Sequence, residues 1–140
     1  MDTTGPVIAV LAPADGSSVT DYEQTVEVMV EDASTLSYVE VGGLTTTEVS
    51  GIHSAEITLP SEGTNPVLIE AEDVHGNSST KTITLYLDSQ GPSLIIDQPA
   101  NGSLLSGNTV VVEGSVTGAD LLEVTVNGIS AELAAQDFSA

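Results

Sequence analysis

The chain has 140 residues and a formal net charge of −20, with one Lys or Arg against 21 Asp and Glu. Cysteine is absent, which excludes a disulfide framework, cysteine-ligated zinc and cysteine catalysis. The acidity excludes nucleic acid and anionic lipid as partners, because every phosphate would be repelled. No apolar run approaches the ~20 residues of a membrane-spanning helix, and Met1-Asp2-Thr3-Thr4-Gly5-Pro6 has neither part of a signal peptide.

Hydrophobic residues make up 40% of the chain and are mostly Val, Ile and Leu. They fall in short runs punctuated by Gly, Pro, Asn, Asp and Ser, the pattern of an all-β protein with enough apolar material for a core. The first strand is predicted over residues 7–11 and the second over 25–31, where Val26, Val28 and Val30 alternate with Glu27, Met29 and Glu31. A third spans 37–41, with Val39 and Val41 inward, and turns at Gly42-Gly43 into a short strand near 44–47. Strands over 55–59, 67–72 and 81–87 follow, with Ile57, Leu59, Val67, Ile69, Ala71, Ile83, Leu85 and Leu87 on the inward face. Seven short strands joined by turns fit an antiparallel β-sandwich, with a small closed barrel as the alternative.

The pattern then repeats 86 residues on. Asp2-Thr3-Thr4-Gly5-Pro6 returns as Asp88-Ser89-Gln90-Gly91-Pro92, and Pro13-Ala14-Asp15-Gly16-Ser17 as Pro99-Ala100-Asn101-Gly102-Ser103. After a one-residue deletion near Thr35, Val39-Glu40-Val41 matches Val124-Thr125-Val126, and Ser54-Ala55 matches Ser139-Ala140. Residues 1–87 therefore read as a complete repeat, and residues 88–140 as the first half of a second, with strands over 94–97, 109–116 and 123–126. Nothing in the chain corresponds to residues 56–87. The second copy is expected to be marginal alone, and mobile or docked on a neighbour. Either a chain boundary falls inside a tandem array, or open sheet edges offer strand exchange with another chain.

The boundary motif Asp-x-x-Gly-Pro, Pro-Ala-Asp-Gly-Ser after the first strand, and Val126-Asn127-Gly128 resemble bacterial immunoglobulin-like modules of the glucodextranase B-domain type. So does Glu62-Gly63-Thr64-Asn65-Pro66 running into Ala71-Glu72-Asp73-Val74-His75-Gly76-Asn77. The resemblance implies an immunoglobulin-like fold, occurrence in tandem, and a setting in secreted or surface-anchored bacterial proteins as stalks, spacers or adhesin repeats. The first copy departs from it by having Gly42 where the family favours Asn.

Asp73, Gly76 and Asn77 read as a self-capped turn, since Asp can bond N–H groups ahead of it while Gly and Asn tolerate positive φ. Asn127-Gly128 reads as a two-residue hairpin turn. Calcium is the one cofactor the oxygen-rich loops could take. The favoured arrangement joins Asp88 at the domain boundary to Asp15 or Asp21, with Asn101 or Asp120 as further ligands. Asp32 and Asp73 follow strands whose ends lie away from Asp88. His53 and His75 read as solvated loop residues, and no serine-nucleophile motif is present. The expected function is a non-catalytic spacer or adhesion module of an extracellular or cell-surface protein, its partners being neighbouring modules of the same chain. A polysaccharide or surface protein is a further candidate partner. The alternative is a carbohydrate-binding accessory module of a secreted glycoside hydrolase, against which the scarcity of aromatic residues counts.

Overall fold

The computed structural model describes residues 1–118 and 121–140. It divides into two compact units, Met1–Ser89 and Gln90–Ala140. The first unit contains, in chain order, β1 (Val7–Ala12), β2 (Ser18–Val19), β3 (Glu23–Glu31), β4 (Leu36–Val41), β5 (Leu44–Thr45), β6 (Thr47–Val49), β7 (Ile52–Thr58), β8 (Gly63–Asp73) and β9 (Ser78–Leu87). They form an immunoglobulin-like sandwich of two sheets, ordered β1-β3-β7-β6 and β2-β9-β8-β4-β5. All pairings are antiparallel except β2 with β9, where Ser18 and Val19 run beside Tyr86 and Leu87.

Alternation decides which side chains fill the space between the sheets. Val26 and Val28 of β3, Val39 and Val41 of β4, Ala55 and Ile57 of β7, and Val67, Ile69 and Ala71 of β8 are buried with Ile83, Leu85 and Leu87 of β9. Glu27, Glu40, Glu56 and Glu70 sit between them and point out. This core contains no aromatic residue.

Two short strands exceed the expected seven, and both come from the chain changing sheets. At Thr46 the backbone N–H and Oγ1 donate to the Val39 carbonyl at 3.1 and 3.0 Å, so the segment read as one strand breaks into β5 on one sheet and β6 on the other. Between β1 and β2, the Gly16 N–H donates to the Thr84 carbonyl at 2.8 Å and Asp15 Oδ1 accepts the Thr84 N–H at 2.7 Å. β8 begins at Gly63, earlier than predicted, despite Pro66. The proline is tolerated because β4 pairs only with residues from Ile69 onward, so its missing N–H faces no ladder.

The second unit holds β10 (Ser93–Gln98), β11 (Glu113–Thr117), β12 (Thr125–Val126), β13 (Ile129–Ser130), β14 (Glu132–Ala134) and β15 (Asp137–Ser139). Its local features follow those of the first. The register shift between Val10 and Ala12 recurs between Ile96 and Gln98, and the Thr46-to-Val39 bond returns as Ala131 N–H to the Val124 carbonyl, 2.9 Å. Asn127 and Gly128 have φ of 50° and 82°, matching 57° and 78° at Gly42 and Gly43.

Two expectations need correction here. The second unit is not limited to three strands, because β13, β14 and β15 also form. Residues 109–112 are not strand, whereas their counterparts in β3 are. In the first unit Glu23, Gln24 and Thr25 pair with Thr58, Ile57 and Glu56, whose counterparts would lie past Ala140. Pairing therefore ends where Val112 exchanges backbone bonds of 2.7 and 2.9 Å with Ala140.

Packing in the second unit replaces one filling by another. The counterparts of Val28 and His53 are Gly114 and Phe138, which face each other across β11 and β15. Phe138 is buried, and a Cβ on Gly114 would lie 2.8 Å from its ring and 2.1 Å from the Ile95 carbonyl oxygen. Backbone cannot give way as a flexible side chain can, so Gly114→Ala should lower second-unit stability by about 1–3 kcal/mol. Hydrogen exchange should show lost protection over β10, β11 and β15 with the first unit unchanged; protection kept in β11 would contradict this packing.

The β8–β9 turn generates a second prediction. Asp73 Oδ1 accepts the N–H groups of His75 and Asn77 at 2.8 and 2.9 Å, and Oδ2 accepts Asn77 Nδ2 at 2.8 Å. Gly76 takes the left-handed conformation there, φ 85°, while Asn77 does not. Burial pushes the Asp73 carboxyl up, but the hydrogen bonds from Asn77 and His75 outweigh it and hold the group below its ordinary value. A depressed carboxylate stabilises the fold above its unfolded pKa of about 4, and that contribution is lost as pH falls through the lower folded value. Asp73→Asn should therefore lower Tm by several degrees at pH 7, with the difference from wild type shrinking as pH falls below 4.

Candidate functional site

Strand order brings three acidic residues together at one end of the first sandwich. Asp2 precedes β1, Asp32 follows β3, and Asp73 closes β8. Antiparallel pairing places Val7 opposite Glu31, so the segment before β1 meets the turn after β3, while Leu36 at the start of β4 lies opposite Asp73. One carboxylate oxygen from each of Asp2, Asp32 and Asp73 lies within 4.8 Å of the other two.

Each carboxylate is held from its own loop. Asp2 Oδ1 accepts the Thr4 N–H and Oγ1 at 3.0 and 2.7 Å, and its Oδ2 accepts Ser34 Oγ at 2.7 Å. Those bonds, led by the Thr4 hydroxyl, keep the Asp2 carboxyl well below the usual carboxylate range. Asp32 Oδ1 accepts the Ser34 N–H at 2.8 Å, but its Oδ2 is buried without a partner. The Asp73 side chain is fully buried, and its Oδ2 is 3.9 Å from His75 Nδ1. The Asp2 carbonyl also accepts Asn77 Nδ2 at 3.2 Å, tying the leading segment to the β8–β9 turn.

The same segment explains the Gly of Asp-x-x-Gly-Pro. A Cβ at Gly5 would lie 2.7 Å from Ser79 Oγ and 2.8 Å from the Ser78 carbonyl oxygen, so the chain passes β9 where only glycine fits. Pro6 beside it is buried.

The residues favoured for calcium from sequence lie elsewhere. Among the described residues, Asp15, Asp21 and Asp88 do not form a group of converging ligand atoms. Asp15 is engaged with the Thr84 N–H, the Asp21 carbonyl accepts Gln24 Nε2 at 2.8 Å, and the Asp88 N–H donates to the Val19 carbonyl at 2.9 Å. Asn101 sits in an exposed turn, and Asp120 lies outside the described residues. His53, read as a loop residue, belongs to β7, with Nδ1 3.2 Å from Thr46 Oγ1. Sequence reasoning placed Asp32 and Asp73 away from Asp88 but passed over Asp2. The available signal was the repeat itself, since Asp2 is the counterpart of Asp88 one module earlier.

The other end of the unit carries a smaller network. Glu62 accepts Tyr22 Oη at 2.9 Å and the Ser89 N–H at 3.2 Å, and also bonds Ser89 Oγ. Bonding from Ser89 holds the Glu62 carboxyl below its ordinary value. Both segments that leave the first sandwich are thus fastened to it by carboxylates.

Comparison with known proteins agrees with this architecture. The family model described as glucodextranase, domain B, matches residues 6–89. Bacillopeptidase F of Bacillus subtilis (strain 168) is 32% identical over 99 residues, which is 70% of this chain and 7% of that protein. The chain therefore spans a small part of the curated relative it matches. Among solved structures, the fibronectin(III)-like modules of Clostridium thermocellum CbhA align with 96% of this chain and 78% of theirs at a TM-score of 0.52, a likeness of fold alone at 14% identity. With its complete sandwich matched from Pro6 to Ser89, the chain belongs to the glucodextranase domain B family.

Proposed function

We propose that this chain is a non-catalytic accessory module that spaces and orients neighbouring domains of a secreted or cell-surface protein. The observation that carries the reading is the fastening of both exits, Asp2 at one end and Ser89 at the other. A module that fixes the direction in which chain enters and leaves transmits orientation, which a freely hinged bead does not. The relatives support the same view. One family member is named for a dextran-cleaving enzyme and the similar protein is a peptidase, and the two share no substrate chemistry for the module to recognise. The net charge of −20 adds repulsion between modules and solubility.

Neighbouring modules of the same chain are the proposed partners. Polysaccharide binding is the weaker reading, because the exposed rings of Tyr22, Tyr38 and Tyr86 are borne on different elements and no tryptophan is present. Strand exchange through the second unit is favoured by Leu94, Ile95 and Ile96, all exposed on the edge strand β10.

Glu62→Ala should increase cleavage between Leu87 and Pro92 by a broad-specificity protease several-fold while leaving the Tm of the first unit nearly unchanged. An unaltered cleavage rate would remove the fastened exit. In sedimentation with insoluble cellulose, starch and chitin, the chain should stay in the supernatant; retention would favour the carbohydrate-binding reading. Light scattering over a dilution series separates monomer from a strand-exchanged dimer.

A further inference from the structure

We infer that Asp2, Asp32 and Asp73 form a calcium site that locks the segment ahead of β1 onto the loops after β3 and β8. Three carboxylates converge there, and one oxygen, Asp32 Oδ2, is buried with neither a hydrogen-bond donor nor solvent to satisfy it. A carboxylate that keeps a buried, unpartnered oxygen within a group of three carboxylates calls for a positive charge.

Among the described residues no cationic group bonds that oxygen. The chain's one Lys or Arg is Lys81, which lies in β9 opposite Ile69, four pairs along the hairpin from the Asp73 end. His75 contacts the Asp73 oxygen at 3.9 Å, but its ring is 38% exposed and does not reach the orphan oxygen of Asp32 through any hydrogen bond.

Donor chemistry and spacing select the cation. All candidate ligands are hard oxygens, which suit calcium and magnesium and not softer metals. Calcium, with ligands at about 2.3–2.6 Å and a flexible geometry, suits carboxylates brought together from three separate loops, whereas magnesium, at about 2.1 Å, demands near-ideal octahedral geometry. An open groove lined by Thr4, Gly5, Glu31, Asp32 and Ser34 adjoins the cluster and gives an ion and its waters a path in.

The consequence is mechanical. Asp2 belongs to the leading segment, Asp32 to the β3–β4 loop and Asp73 to the β8–β9 turn, so one ion would bridge three pieces of chain that only single hydrogen bonds now join. Calcium would stiffen the entry to the first sandwich, which is the property a spacer needs at its joints.

Calorimetry of the full chain in calcium, in magnesium and in chelator tests the inference. Calcium at about a hundred times its Kd should raise the Tm of the first unit by about 10 °C or more relative to chelator, with a smaller rise in magnesium. Amide exchange at Thr4 and Ser34 should slow with calcium. Asp32→Asn, which keeps the Oδ1 acceptor for Ser34, should fold and lose the calcium-dependent shift, while Asp88→Asn should keep it. A Tm unmoved by calcium overturns the site. A shift that survives Asp32→Asn, or is lost in Asp88→Asn, overturns this location in favour of the domain boundary.

Discussion

The first sandwich depends on covering two sheet faces with aliphatic side chains alone. Immunoglobulin-like cores commonly use a large aromatic ring or a disulfide between sheets, and this one has neither. Valine, isoleucine and leucine from β3, β4, β7, β8 and β9 must interdigitate closely instead. Branched side chains of similar length favour a uniform gap between the sheets, and a uniform gap keeps strand ends aligned. The end of β8 and the loop after β3 meet at one end of the sandwich, where Asp32 and Asp73 converge.

That alignment converts fold into site. Asp32 and Asp73 are separated by forty residues of sequence containing β4 to β7 and three sheet crossings, and they converge because Asp32 directly follows, and Asp73 ends, a strand whose inward residues are fixed in the core. Asp2 joins them because β1 pairs with β3 in a register that brings its leading segment back over the β3 end. The charge is thus placed by apolar packing. Losing register by one residue would turn the aliphatic face outward and scatter the carboxylates together.

Strand identity and facing were legible because period-two alternation is strong where one face is buried, as along Val26, Val28 and Val30. Short strands such as β2 and β6 were not, since two or three residues carry no period, and sheet switching at Thr46 depends on a bond to a carbonyl seven residues back. The turn at Asp73 could be read from residue chemistry because its bonds are local. The acidic convergence could not, as it needs three loops brought together by tertiary pairing. The repeat was the exception among long-range signals: it predicted corresponding turns at Gly42-Gly43 and Asn127-Gly128 without any structural knowledge. It could not foresee the exchange of valine and histidine for Gly114 and Phe138, which preserves filling while changing which strand supplies the bulk.

The repeat also shows that the acidic convergence is not simply part of the shared turn chemistry. Asp88 preserves the position of Asp2, but the counterpart of Asp32 is Gly118, where a Cβ would lie 2.9 Å from Pro92. The leading segment of the second unit therefore packs its proline directly against the β11 end, at a position where the first unit presents a carboxylate. One boundary motif serves two joints by different means, steric contact in one and charge in the other. A family tolerant of both needs only that the leading segment be held, and the divergence between Asp32 and Gly118 argues that holding it is what the motif is for.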